Sequence, residues 1–189
     1  APAAVLLDGG LRGLHHRRVV RQPEVVVRAG HDDLLAVEDG AGAFGDLELS
    51  GKLDLRNNAQ PMAAIETHAF AGSVVGSLDV EGSTIGRLEA HALSGLVLHD
   101  AEVALRKSSI AFVGAGAFSN LSRSSGEAFS TVDLSENAIE TVEDGAFATL
   151  RAADLDLSGN ALPKIISGAF CDLTLSGALK VRDNSQPIA

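Results

Sequence analysis

The chain has 189 residues and a mass of 19.4 kDa, enough for one domain with a sizeable core or one stretch of a longer array, and too little for two independent domains. With 46% hydrophobic residues and a mean hydropathy of +0.17 it is too apolar to stay disordered, yet only 4% is aromatic and Trp and Tyr are absent, so large aromatic anchors cannot fill its interior. Acidic residues outnumber basic ones 25 to 15, for a formal charge of -10 and a pI of about 4.9, which disfavours general nucleic-acid or anionic-membrane binding, and the single Cys171 excludes an internal disulfide framework and a cysteine-built zinc site.

No hydrophobic run reaches the roughly 20 apolar residues of a membrane-spanning helix, because Arg, Asp, Glu or Gly interrupts each one. The opening Ala1-Pro2 lacks a Met and an apolar leader, so it fits either a cleaved signal peptide or an internal cut. Residues 1–24 carry little pattern beyond a degenerate coil at 5–10. Arg12, Arg17, Arg18, Arg21 and Arg28 make this end locally basic, and a solvated terminal coil is the expectation ahead of a dedicated docking patch.

From residue 25 the chain repeats itself. The blocks are VVVRAGHDDLLAVEDGAGAF at 25–44, LDLRNNAQPMAAIETHAF at 53–70, LDVEGSTIGRLEAHAL at 78–93, VALRKSSIAFVGAGAF at 103–118, VDLSENAIETVEDGAF at 132–147 and LDLSGNALPKIISGAF at 155–170. LKVRDN from Leu179 opens a seventh copy. Four blocks align over 16 residues without gaps, the one at 53 with two inserted residues and the one at 25 with four, around His31-Asp32-Asp33. Their starts are 28, 25, 25, 29, 23 and 24 residues apart, and the longest step holds Gly114, Gly116 and the segment SNLSRSSGEAFST at 119–131. A period in this range is the mark of a solenoid, and its irregular steps are where function is added.

Apolar residues occupy block positions 1, 3, 8, 11 and 16, and position 6 is Asn at Asn58, Asn137, Asn160 and Asn184. In this LxLxxNxI core followed by a GAF-like segment, the chain resembles the extracellular leucine-rich repeats, over roughly residues 25–184. The resemblance implies an α/β solenoid of about seven coils, a curved coil with a concave parallel β-sheet and an irregular or short helical convex side. Residues 1–24 would be a degenerate coil or cap, and 25–189 the repeats. It also implies that the position-6 Asn hydrogen-bonds the backbone where the chain leaves the strand; Ser83, Ser108 and Gly30 depart from it, which predicts weaker turns there. Many extracellular members carry cysteine-rich caps, and neither is visible in this chain.

Period-two alternation at positions 1 to 3 makes each block open on a short strand with its apolar side chains inward. Such a strand is stable only when neighbouring coils cover it. Position 16 holds Phe44, Phe70, Leu93, Phe118, Phe147 and Phe170, a core spine rather than a ligand-stacking surface, since it repeats in phase with the other core columns. The segments between blocks are too short for long helices and should be loops, short strands or 3₁₀ turns.

Positions 2 and 4 should face outward on the concave sheet, with equivalent residues of adjacent coils about 5 Å apart. Position 2 reads Val26, Asp54, Asp79, Ala104, Asp133, Asp156 and Lys180; position 4 reads Arg28, Arg56, Glu81, Arg106, Ser135, Ser158 and Arg182. Two aspartate pairs lie side by side, the first within reach of Arg56 and Arg106 and the second beside serines only. They are either a face for cationic groups of a partner or simply solvated aspartates of the common strand spelling.

Nothing in the sequence points to chemistry. There is no DxDxDG calcium loop, HExxH, GxSxG elbow, P-loop or dinucleotide fingerprint, and the glycines belong to the repeat turns. His68 and His91 share a turn position held by Gly145 and Gly168 elsewhere, His15-His16 lies in the basic end and His99 in a loop, so no metal is expected. Cys171, after the Phe170 column, reads as a small buried filler. Asn120-Leu121-Ser122 is an N-glycosylation sequon in the irregular loop after Phe118.

These readings predict a non-enzymatic extracellular module without cofactor, a secreted protein or ectodomain fragment for recognition or adhesion. It would bind a protein partner with a basic surface through Asp54, Arg56, Asp79, Glu81, Arg106, Asp133, Ser135, Asp156 and Ser158. The alternative is a matrix or filament component that self-associates through its solenoid ends. A cytoplasmic scaffold is the third reading, which glycosylation of Asn120 would exclude.

Overall fold

Runs such as Leu53-Asp54-Leu55 are too short to hold together alone, and the chain solves this by stacking them: it is a parallel β-solenoid of about five turns. The computed structural model describes residues 44–56, 62–163 and 168–184, together with the backbone of 19–20 and 24–26. The basic arginines Arg12, Arg17, Arg18, Arg21 and Arg28, and also His15, His16, Gly30, His31 and Asn58, lie outside the described residues.

The larger sheet has eleven strands, all parallel: β1 (Val19–Val20), β2 (Glu24–Val26), β3 (Glu48–Asp54), β5 (Val74–Asp79), β7 (Val97–Leu98), β8 (Glu102–Ala104), β10 (Ser122–Arg123), β11 (Phe129–Asp133), β13 (Arg151–Asp156), β14 (Thr174–Leu175) and β15 (Leu179–Lys180). Its main path runs β1-β3-β5-β8-β11-β13-β14, with β2, β7, β10 and β15 completing two rows of pairing. One row joins Leu49 to Val75 and Val75 to Leu98. The other joins Val25 to Leu53, Leu53 to Leu78, Val103 to Val132, Val132 to Leu155 and Leu155 to Leu179, which are the block starts.

A second sheet lies on the far side of each coil. It contains β4 (Met62–Ile65), β6 (Ile85–Leu88), β9 (Phe112–Val113) and β12 (Thr141–Val142), again parallel and in sequence order. The irregular or short helical side that the repeat pattern implied is therefore replaced by strands, and no helix occurs among the described residues. The physical reason is left-handed backbone at three places in each of the coils that begin at Leu78, Val103, Val132 and Leu155. One column holds His68, His91, Gly116, Gly145 and Gly168; a second holds Asp46, Gly72, Gly95, Asn120, Thr149 and Asp172; a third holds Gly82, Lys107, Glu136, Gly159 and Asp183, all with positive φ. A right-handed helix cannot run through such residues.

Between the sheets the columns interdigitate. Leu53, Leu78, Val103, Val132 and Leu155 are buried beside Leu55, Val80, Leu105, Leu134 and Leu157, and across from them Ile85, Ile110, Ile139 and Leu162. The position-16 column is core as expected, except that Phe170 is only partly covered. Phe44 stacks on Phe70 at 4.8 Å, Phe118 on Phe147 at 5.0 Å and Phe147 on Phe170 at 5.5 Å, and Leu93 separates the two stacks. Many aliphatic contacts and this short aromatic spine replace the bulky anchors that the composition lacks.

Where the chain leaves each strand, a polar side chain ties two coils together. Asn137 Nδ2 donates to the carbonyls of Leu105 and Leu134, while its Oδ1 accepts from the N–H groups of Ser108 and Ile110. Asn160 donates to Leu134 and Leu157 and accepts from Ile139; Asn184 donates to Leu157 and Val181 and accepts from Leu162. Ser83 and Ser108 keep one element of this, each hydroxyl donating to the carbonyl of the preceding coil, Leu55 and Val80 respectively. They reach fewer groups than an asparagine.

Candidate functional site

The outward columns of the larger sheet are set by its register. Asp54 pairs with Asp79, Asp79 with Ala104, Ala104 with Asp133, Asp133 with Asp156 and Asp156 with Lys180. The two aspartate pairs are thus on neighbouring strands, separated by the uncharged Ala104.

Each aspartate does local work first. Its Oδ1 accepts the backbone N–H two residues on: Arg56 for Asp54 at 3.0 Å, Glu81 for Asp79 at 3.2 Å, Ser135 for Asp133 at 2.9 Å and Ser158 for Asp156 at 2.9 Å. This Asx-type turn starts the corner that follows the strand, which explains Asp at position 2 without any ligand. Sequence reasoning, which saw only a solvated aspartate or a docking charge, missed this role.

The two pairs differ in what else surrounds them. Arg56 bridges the first, with Nη2 2.7 Å from Asp54 Oδ2 and Nε 3.2 Å from Asp79 Oδ2, and Lys52 also pairs with Asp79. Arg106 reaches Glu81 at 2.8 Å, one column over from the first pair it was expected to serve. Asp54 is buried, and the hydrogen bond from Arg56 holds its carboxyl below the usual carboxylate range against the opposing effect of burial; the same bond raises the Arg56 guanidinium, and Glu81 raises that of Arg106. Asp133 and Asp156 are half-buried, and no ion pair reaches either among the described residues. Beyond its backbone bond, Asp133 receives only the Ser135 hydroxyl at 2.6 Å. Lys180, the cation next in the column after Asp156, is held by Asp154 at 2.8 Å, which lowers the Asp154 carboxyl and raises the lysine.

A carboxylate whose folded value is depressed contributes stability above its unfolded value and loses it as pH falls through the folded one. The Asp54–Arg56 contribution should therefore be complete above about pH 4 and fall progressively as the pH drops below it. Arg56→Met is expected to lower stability at pH 7 by at most about 1 kcal/mol, because the guanidinium is partly solvated, and by much less at pH 2.5. Urea unfolding at the two pH values checks this, and an equal loss at both would exclude the assignment.

Other candidates from the sequence take plain places. His68 and His91 stack at 5.2 Å on left-handed turns, with His91 Nδ1 3.3 Å from the Ser119 hydroxyl. Asn120 is exposed and left-handed, in a turn column that suits Asn, Asp and Gly, so the fold itself explains an asparagine there. Cys171 is exposed, contrary to the expected buried filler: it sits on the outer turn of the coil, and the neighbouring Asp172 charge pushes its thiol up, away from the reactive thiolate.

The long step before Val132 has a cause that the sequence did not reveal. Arg123 pairs with Leu98 in a row that is otherwise apolar; its Nη1 reaches Glu127 and the carbonyl of Ala128, while its Nε is buried with no hydrogen-bond partner among the described residues. Phe129, in register with Ala152, fills the interior instead, and residues 124–127 bulge outward between β10 and β11.

Among the described residues no group of three or more His, Cys, Asp or Glu is placed to hold a metal, and no helix is long and apolar enough to cross a membrane. Comparison of the chain with protein-family models, with curated proteins and with solved structures finds no match.

Proposed function

We propose that the chain is a leucine-rich-repeat-like recognition module of an extracellular protein, without catalytic activity, that binds a basic protein partner on the outer face of its larger sheet. The observation that carries this reading is the in-register pair Asp133 and Asp156: each carboxylate takes a backbone N–H, Asp133 takes the Ser135 hydroxyl as well, and neither forms an ion pair among the described residues. Like charges on adjacent strands, about 5 Å apart, repel modestly in water. A cationic side chain between them would relieve that repulsion, and Ser135 and Ser158 would offer further acceptors. Asp54, Arg56, Asp79, Glu81 and Arg106 form the mixed-charge flank that would orient the partner. The extracellular assignment rests on the repeat's resemblance and on the exposed Asn120, proposed as a glycan acceptor.

The test separates charge from turn formation. Asp133→Asn with Asp156→Asn keeps both Oδ1 acceptors, so unfolding free energy should change by less than about 0.5 kcal/mol. Titrated with an oligo-lysine peptide at low salt, the double variant should bind about tenfold more weakly, the equivalent of ~1.4 kcal/mol. Asp172→Asn, away from the sheet, should bind as the parent does. Equal affinity for the double variant and the parent would end the proposal.

A further inference from the structure

The longest step of the repeat places extra chain on the outside of the solenoid. Arg123 ends β10 in register with Leu98, Phe129 begins β11 in register with Ala152, and Ser124, Ser125, Gly126 and Glu127 between them are all exposed. The Gly126 N–H closes onto the Arg123 carbonyl at 2.9 Å, a β-turn with Ser124 and Ser125 at its two corners and Gly126 left-handed at φ +74°. The two hydroxyls differ in what they meet. That of Ser125 is engaged inside the turn, accepting the Glu127 N–H at 3.3 Å, whereas that of Ser124 faces the preceding coil, 2.9 Å from His99 Nδ1.

On a chain of net charge -10, nitrogen donors gather around this turn from three successive coils: His99 after β7, Arg123 in β10 and Arg151 in β13. Arg151 directs Nη1 at the Gly126 carbonyl, 3.5 Å away, and forms no ion pair among the described residues. Arg123 is held by Glu127 at 3.1 Å. Glu127 is itself 74% exposed and stands three residues after Ser124, the kind of spaced carboxylate that an acidophilic serine kinase reads in its substrate. Ser130 and Thr141 also precede an aspartate by three residues, but they lie inside β11 and β12, where strand pairing holds their backbone. Ser124 alone of the three is on a loop tip outside the core.

We infer that Ser124 is a phosphorylation site and that His99 and Arg151 receive its phosphate. In the transfer, Ser124 Oγ forms a bond to the terminal phosphorus of a nucleoside triphosphate, the bond from that phosphorus to its bridging oxygen breaks, the nucleoside diphosphate leaves, and the hydroxyl proton passes to a base of the kinase. The phosphate brings negative charge and three strong acceptor oxygens to a place where an imidazole and a guanidinium meet only a hydroxyl and a carbonyl. It therefore draws the bulge onto the coils on either side. The outer aspartates of the larger sheet take no part.

Incubating the 189-residue chain with a casein-type acidophilic serine kinase and Mg²⁺-ATP tests this. Fragmentation mass spectrometry should place phosphate on Ser124 ahead of Ser130 and Thr141, and Ser124→Ala should remove it. Glu127→Gln should be modified about tenfold more slowly, and Glu127→Asp, which keeps the charge, at close to the parental rate. In the phosphorylated chain the amides of residues 125–127 should exchange with deuterium about tenfold more slowly than in the unmodified chain. His99→Gln combined with Arg151→Gln should still accept phosphate on Ser124 but gain no such protection. A chain that takes no phosphate on Ser124, or takes it on Ser130 or Thr141 in preference, overturns the site. Equal exchange in the phosphorylated parent and the phosphorylated double variant overturns the role given to His99 and Arg151.

Discussion

Replacing Asn160 with alanine should lower the free energy of unfolding by about 3 kcal/mol, the cost of stranding the buried Ile139 N–H and of taking from the Leu134 and Leu157 carbonyls one of the two side-chain donors each has, the others being Asn137 and Asn184. Asn160 is 4% exposed; its Oδ1 takes the Ile139 N–H, and its Nδ2 serves the Leu134 and Leu157 carbonyls, all at 3.0 Å. Alanine reaches none of these groups. Serine should do better, at about 2 kcal/mol, since the sequence already places Ser83 and Ser108 at this position with one hydroxyl bond to the coil before. Urea unfolding gives both values, and an unchanged m-value would show that the loss lies in native stability rather than in the unfolded ensemble. If Asn160→Ala and Asn160→Ser were equal, the inter-coil bond to Leu134 would be the wrong explanation.

The second large effect is expected at Phe147, which is fully buried between the rings of Phe118 and Phe170. Phe147→Ala removes a ring from the middle of the stack and should cost about 4 kcal/mol, transfer and cavity together. Phe147→Leu should cost less than about 1.5 kcal/mol, because Leu93 fills the same place two coils earlier at 0% exposure. Phe170→Ala, at the half-covered end of the stack, should fall between the two. Thermal and denaturant unfolding of the three variants checks the order Phe147→Ala, Phe170→Ala, Phe147→Leu. Equal costs at 147 and 170 would mean that the stack is not built coil on coil.

The periodic part of this molecule was legible because one rule acts on every coil. Apolar side chains at positions 1 and 3 have a single inward direction in a strand, so spacing alone located Leu53, Leu78, Val132 and Leu155 in one row and put Asp133 beside Asp156. The second sheet was not legible. Strands of two to four residues, such as Phe112–Val113 and Thr141–Val142, are too short to repeat a hydrophobic cycle often enough to be recognised, and what selects them over helix is the left-handed turns around them, at residues as unlike as His91, Thr149 and Asp172. Nor could spacing say which way an individual side chain departs from its column. Arg123 stands in an apolar row with its Nε buried and without a hydrogen-bond partner among the described residues, while its Nη1 reaches Glu127 and the Ala128 carbonyl, and Cys171 follows a core Phe yet faces solvent. At the aspartates, pattern reasoning weighed ligand against solvent and overlooked the backbone, since a hydrogen bond two residues away leaves no periodic trace.

The asparagine ladder has a directional consequence. Ser108 and Ile110 donate their backbone N–H groups to Asn137, and Ile139 donates to Asn160, so the amides at the corner of one coil are closed by a side chain of the next. Protection against amide exchange is therefore lent backwards along the chain, each corner guarded by its successor. Loosening the coil that begins at Val132 would first be read out in deuterium uptake at Ser108 and Ile110, 29 and 27 residues upstream of Asn137, one repeat of the solenoid.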